Sequence, residues 1–88
     1  MGWEVSYSKN ALKQLKKLDR FDAKIILDWI GANLEGCEDP RRHGKALVGD
    51  RAGCWRYRVG DYRVLCVLDD GKIVIEVVSI GHRRDVYR

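Results

Sequence analysis

The chain has 88 residues, enough for one domain spanning 1–88 and too few for two. Hydrophobic residues make up 45% of it, so a folded core is possible and intrinsic disorder is excluded. The net charge of +4 is too small to identify a nucleic-acid-binding protein by itself, so the distribution of charge is more informative than the total.

The cysteines favour a reducing compartment over an oxidising one. Cys37, Cys54 and Cys66 are odd in number, widely spaced and without a CxxC pair, which argues against a zinc site. No signal peptide and no apolar stretch of membrane-spanning length is visible. We therefore expect a soluble, cytoplasmic protein without a membrane partner, a bound metal or another cofactor.

The first elements in the chain are a strand and a helix. Residues 3–7 alternate between apolar and polar, as a half-buried strand does. Ser8 stands where a helix N-cap belongs. After it, apolar residues recur at helical spacing and predict a buried stripe, with lysines on the other face. The stripe consists of Ala11, Leu12, Leu15 and Leu18.

A second helix follows, with Asp19 or Asp22 as its N-cap. Gly36 is a plausible C-cap and Pro40 forbids continuation of the helix. Its predicted apolar face consists of Ile25, Ile26, Trp29, Ile30 and Leu34, and we interpret the tryptophan as a packing residue. Two short helices joined by a tight turn form a helical hairpin.

A basic loop over residues 39–51 precedes three predicted strands: Cys54–Val59, Tyr62–Leu68 and Lys72–Ile80. Gly60-Asp61 and the turn at residues 69–71 are hairpin signals. The predicted fold is therefore α+β, in β-α-α-β-β-β order. An antiparallel meander sheet, joined by the first strand, carries the helical hairpin on one face.

Basic residues concentrate in the second half of the chain. Residues 1–40 hold 6 Lys/Arg against 7 Asp/Glu, whereas residues 41–88 hold 11 against 6. In a strand, Arg56 and Arg58 share one face, roughly 6–7 Å apart. Arg63 follows the hairpin, and Arg83 and Tyr87 follow the last strand. Arginines that converge in this way indicate an anionic partner, and an aromatic ring beside them can stack on a base.

Three motifs together resemble the RelE family of toxins from toxin–antitoxin pairs. They are KALVG at 45–49, WRYRVGDYRV at 55–64 and SIGHRRDVY at 79–87. The resemblance spans nearly the whole chain, because the order of elements also matches. The strand motif and the C-terminal motif are specific in combination, whereas each alone is weak.

The resemblance implies a ribosome-dependent endoribonuclease that cleaves mRNA in the ribosomal A site by attack of the ribose 2′-hydroxyl. It also implies a cognate antitoxin that covers the site. The family's site residues correspond to Arg56, Arg58, Arg63, Arg83 and Tyr87. In the basic loop, Arg41, Arg42 and Lys45 are expected to contact ribosomal RNA, and His43 is interpreted as structural or RNA-facing.

The chain departs from the family at two strand positions, where RelE has lysines and this sequence has Arg56 and Arg58. Arginine does not lose its proton in proteins, so we assign both to phosphate binding and charge stabilisation. The general base must then be Tyr87, His82 or a group on the ribosome. His82 has a suitable intrinsic pKa for proton transfer.

Two other functions stay open. The related ParE toxins share the fold and poison DNA gyrase without cutting RNA, and they have no need of this arginine set. A basic RNA-binding module without catalysis would also account for the cations. Codon preference and the identity of the antitoxin do not follow from the sequence.

Overall fold

The computed structural model describes residues 2–47 and 53–82. The first strand, β1 (Glu4–Tyr7), leads into helix α1 (Lys9–Lys17) and helix α2 (Arg20–Asn33). A short 3-10 helix (Pro40–Arg42) and a two-residue strand, β2 (Lys45–Ala46), precede three longer strands. These are β3 (Cys54–Val59), β4 (Tyr62–Asp69) and β5 (Val74–His82). The α+β fold predicted from the sequence is confirmed.

The five strands form one mixed sheet in the order β1-β5-β4-β3-β2. The meander β3-β4-β5 is antiparallel, as predicted, and β2 extends it by pairing antiparallel with the start of β3. The first strand instead lies parallel to β5, with Val5 opposite Ile75. It can do so because the two helices carry the chain back across the sheet before the meander begins.

Both helices begin at the predicted caps. The Ser8 hydroxyl accepts a hydrogen bond from the Ala11 amide at 3.0 Å, and this bond satisfies a free N–H of the first turn. Asp19, rather than Asp22, caps α2 by accepting from the amide of Phe21 at 3.1 Å. The turn between the helices is therefore tight, and the helical hairpin packs on one face of the sheet.

The core lies between this hairpin and the sheet. Ile26 and Ile30 of α2, its C-cap residue Leu34 and Ala11 of α1 pack against the strands, and their exposure is 1% or less. The predicted apolar stripes were too broad at two positions, since Leu12 is 45% exposed and Ile25 is 44% exposed. The described strand residues of the core are Tyr57, Val59, Val64, Cys66, Ile75, Val77 and Ile80.

An irregularity in β5 changes which side chains point at the helices. Cys66 pairs with Val77 and Leu65 pairs with Ser79, so the register skips Val78. The carbonyl of Val78 instead accepts hydrogen bonds from the side chains of Ser8 and Asn10. Because one residue is inserted, the core residues of β5 shift from odd to even numbers between Val77 and Ile80.

The third strand of the meander also starts and ends two residues later than predicted. The turn after β4 runs through Ile73, which has a positive φ of 54°. At the other end, Gly81 and His82 continue the ladder opposite Arg63 and Tyr62.

None of the helices in the described ranges combines the length and the hydrophobicity that crossing a membrane requires.

Candidate functional site

Strand β3 separates two chemically different sets of side chains. Tyr57 and Val59 are buried on the face that carries the helices. Arg58 is exposed and Arg56 is half-buried, and alternation directs both to the opposite face. The sequence expectation for this strand therefore agrees with its burial pattern.

The sheet register adds two more cations to this face. Arg58 lies directly opposite Arg63 on β4, and Arg56 lies directly opposite Lys45 on β2. Direct cross-strand partners have Cα atoms about 4.5–5.5 Å apart and side chains on the same face. The four cations thus form two adjacent pairs across three neighbouring strands.

These side chains line one cleft with a volume of about 400 Å³, which we call the arginine cleft. Its described lining includes four cations, a composition that favours an anion. Arg63 is only 6% exposed. Its charge therefore lies in a less polar medium than that of Arg58. The described lining residues are Trp29, His43, Gly44, Lys45, Arg56, Arg58 and Arg63.

One wall of the arginine cleft is the segment that leads into β2, and two core side chains fasten it. The buried Tyr57 hydroxyl donates to the Pro40 carbonyl at 2.7 Å, and burial raises the pKa of Tyr57. The Trp55 indole donates to the His43 carbonyl at 2.6 Å. The backbone runs so close to β3 at Gly44 (φ +75°) that a Cβ there would collide with the Arg56 carbonyl oxygen. Glycine is therefore required at this position.

Arg41 is held away from the cleft by a carboxylate. Its guanidinium makes two hydrogen bonds of 2.9 Å to Asp70, in the turn between β4 and β5. It also lies 6.0 Å from the centre of the Trp55 ring. The bidentate contact holds the pKa of Asp70 below its usual value. The structure does not bring Arg41 together with the strand arginines, and Arg42 is exposed outside the cleft lining.

His82 is also separate from the arginines. It lies opposite Tyr62 in the register, two residues beyond the core residue Ile80, and so shares the helix side of the sheet. Its ring packs edge to face on Tyr62, with centroids 5.5 Å apart. The Tyr62 hydroxyl donates to Asp22 of α2 at 2.8 Å. Tyr62, His82 and Asp22 line a second cavity, of about 230 Å³.

The predicted site residues Arg83 and Tyr87 lie outside the described residues, and their assignment stays a prediction. Of the others, the structure brings together Arg56, Arg58, Arg63 and Lys45.

Trp29 packs against the core, as its place on the apolar stripe of α2 predicts, but it also borders the cleft, which the sequence pattern does not indicate. His43, which the sequence predicts to be structural or RNA-facing, borders the cleft as well. Their common position depends on contacts between α2 and the segment before β2, which no local pattern encodes. The one available signal was the glycine beside His43, which permits close approach of the backbone.

Comparison with known proteins identifies the family of this chain. The family model described as the ParE toxin of type II toxin–antitoxin systems matches residues 5–87. Toxin RelE of Mycobacterium tuberculosis is 31% identical over 98% of this chain and 87% of its own length. Toxin RelG of the same organism is 30% identical over 100% of this chain and 99% of its own length.

The solved toxin–antitoxin complex RelBE2 from Mycobacterium tuberculosis contains a chain with the same fold. Its TM-score is 0.85 at 27% identity, and the match covers 97% of this chain and 95% of that one. The family match, the two relatives and the shared fold all extend over nearly the full length. The chain belongs to the ParE toxin family of type II toxin–antitoxin systems, within the RelE/ParE superfamily.

Proposed function

We propose that this toxin is a ribosome-dependent endoribonuclease that cleaves mRNA in the ribosomal A site and so inhibits translation. The observation that carries the proposal is the convergence of Lys45, Arg56, Arg58 and Arg63 in one cleft. A polyanion is the ligand that matches this charge. Three arginines favour a phosphodiester in particular, because the guanidinium fork contacts two oxygens at once.

The proposed reaction is an internal transfer at phosphorus. The ribose O2′ attacks the adjacent phosphorus, an O2′–P bond forms and the P–O5′ bond breaks. The products are a 2′,3′-cyclic phosphate and a 5′-hydroxyl. Negative charge on the phosphoryl oxygens is greatest in the transition state, where Arg58 and Arg63 would stabilise it. This scheme uses no metal and no other cofactor.

The proton of the 2′-hydroxyl must pass to a base, and the departing O5′ must receive a proton. The arginines cannot take part in this exchange. Among the described residues that line the cleft, His43 and Lys45 have side chains that can exchange a proton. Tyr87 and a ribosomal group remain proposed alternatives on the basis of the family resemblance. His82 is the weaker proposal, because its ring packs on Tyr62 at the helix side of the sheet.

The remaining proposed contacts follow from position. Arg42 is exposed and close in sequence to the cleft wall, so it is assigned to ribosomal RNA, whereas Arg41 already contacts Asp70. Arg83 is assigned to charge stabilisation on the resemblance alone. A cognate antitoxin is the proposed protein partner, since the similar chain of known structure comes from a toxin–antitoxin complex. The proposed site of action is the translating ribosome in the cytoplasm.

Primer-extension mapping of mRNA in a translation extract tests the proposal. Parent protein is expected to cut within translated codons. At saturating ribosome, Arg58→Ala is expected to lower the single-turnover cleavage rate on the order of 10²–10³-fold, as loss of a preorganised donor does. Arg83→Ala should act in the same direction. The matched control is Arg41→Ala, which removes the same side chain from outside the cleft and should leave the rate unchanged.

Gyrase poisoning is the second candidate, favoured by the name of the matching family model. Purified gyrase and relaxed plasmid give the decisive assay. Blocked supercoiling with intact mRNA would overturn the nuclease proposal in favour of this one. Ribosome or RNA binding with neither effect would leave a binding module without catalysis.

A further inference from the structure

Two aromatic rings, those of Trp29 and His43, line the same cleft as the four cations, although Trp29 belongs to a helix on the other face of the sheet. β2 is the edge strand of the sheet, so residues of both faces can border one cleft there. Both residues are half-buried, so part of each side chain remains accessible. Their ring centroids lie 5.9 Å apart, and the ring planes are inclined at 73°. The phosphate contacts proposed above give neither ring a ligand.

The indole of Trp29 contacts two other aromatic rings. Its ring lies 5.7 Å from that of Tyr57, which is fully buried, and it also makes the edge-to-face contact with His43. The backbone of His43 is itself fastened by the hydrogen bond from Trp55. A side chain restrained in this way loses little entropy when a ligand binds.

Trp29 packs against the core but is less buried than the residues beside it on α2. Ile26 and Ile30, on the same helix, are 0% and 1% exposed, whereas Trp29 borders the arginine cleft. A nucleotide has two parts that suit this arrangement: a phosphate for the guanidinium groups and a planar base for an aromatic ring. The cleft volume of about 400 Å³ lies within the range of roughly 300–1,000 Å³ typical of small-ligand sites.

We infer that Trp29 is a stacking platform for the nucleobase next to the phosphate bound by the cleft arginines. The inference rests on the proposed function and specifies its ligand: a single-stranded RNA segment bound through a base and its phosphate together. Stacking tolerates any base, because every base has a π face, so this contact adds affinity without fixing a sequence.

The test compares a short single-stranded RNA oligomer with an abasic ribose-phosphate oligomer of equal length. The parent protein is expected to bind the base-containing oligomer about 10-fold more tightly or better, as aromatic stacking provides. The indole N–H signal of Trp29 in NMR spectra should shift with that oligomer and not with the abasic one. The buried Trp3, which is 7% exposed, serves as the internal reference signal.

Three variants show which side chain is responsible for the preference for the base-containing oligomer. Trp29→Leu keeps apolar bulk for packing but removes the π face, so it should lower affinity for the base-containing oligomer to the abasic level and leave abasic binding unchanged. Trp29→Phe should restore part of the preference. Arg58→Ala should weaken both oligomers alike, because each carries the phosphates.

Equal binding of the two oligomers by the parent, or an undiminished preference in folded Trp29→Leu, would overturn the stacking platform. If Trp29→Leu does not fold, the parent's indole signal decides: no shift with the base-containing oligomer overturns the inference. The primer-extension assay judges the proposed function separately. Base-selective binding without mRNA cleavage would refute the nuclease alone, and cleavage without base preference would refute the platform alone.

Discussion

Tyr57 and Arg58 are adjacent in the chain but belong to opposite faces of the sheet. Tyr57 is fully buried beneath the helices, and its hydroxyl fastens the wall of the arginine cleft through Pro40. Arg58 is exposed and lies opposite Arg63 on the other face. Strand alternation therefore lets one short segment supply both the core and the candidate site. Substitutions on the two faces should separate stability from function.

The arginines also fall into two groups: Arg41 near the turn between β4 and β5, and the arginines that line the cleft. Arg41 meets the two carboxylate oxygens of Asp70, whereas the arginine cleft has no described acidic lining residue. Like charges on neighbouring strands repel one another, and a bound phosphate would offset that repulsion. Arg41 therefore has a structural role at this turn, and the proposed function gives the cleft cations a phosphate ligand.

The largest expected effect that tests the comparison of the two sheet faces is on the free energy of unfolding. Tyr57→Ala removes a fully buried ring and a buried hydrogen bond, so it should lower the free energy of unfolding by about 3–5 kcal/mol. Arg58→Ala, one residue away, should change it by less than about 0.5 kcal/mol, as exposed positions do. Urea unfolding followed by circular dichroism measures both. Similar losses from the two substitutions would show that the two faces are not independent.

A smaller effect is expected on the salt dependence of RNA binding. If four cleft cations contact phosphates of a single strand, log affinity should fall with log salt concentration at a slope of about −3, since each contact contributes about −0.7. Arg58→Ala and Lys45→Ala should each reduce the slope by about 0.7. Arg41→Ala is the control and should leave it unchanged. A flat salt response in the parent would mean that the cleft does not bind phosphates.

Local rules account for much of this arrangement. The two-residue turn at Gly60-Asp61 fixes the hairpin register, and alternation then puts Arg56, Arg58 and Arg63 on one face. The Ser8 cap and the buried positions of α2 also follow from short-range patterns. These features are predictable because each depends on residues that are close together in the sequence.

The remainder depends on distant contacts. The position of His82 on the helix side follows from the skipped residue Val78 and from the extension of β5 beyond Ile80, neither of which the sequence pattern reveals. The partner of Arg41 lies 29 residues away in the chain. Lys45 joins the cleft because β2 pairs with β3, in a segment that the sequence pattern predicts to be a loop. Such contacts are decided by the packing of the whole domain.

The smallest expected effect concerns the ion pair of Arg41 and Asp70. The hydrogen bonds that Asp70 accepts from Arg41 lower the pKa of the Asp70 carboxyl group in the folded protein. A carboxyl group with a lowered folded-state pKa contributes stability above its unfolded pKa of roughly 3.9, and this contribution is lost as the pH falls through the folded value. Asp70→Asn should therefore narrow the stability difference between neutral and strongly acidic pH, and Arg41→Gln should narrow it to a similar extent. The double variant should add nothing to either change, since both remove one interaction. The pair is exposed, so added salt should reduce the effect in the parent. Thermal unfolding between neutral and strongly acidic pH measures the stability of all three variants. Additive losses in the double variant would show that Arg41 and Asp70 do not stabilise the fold through each other.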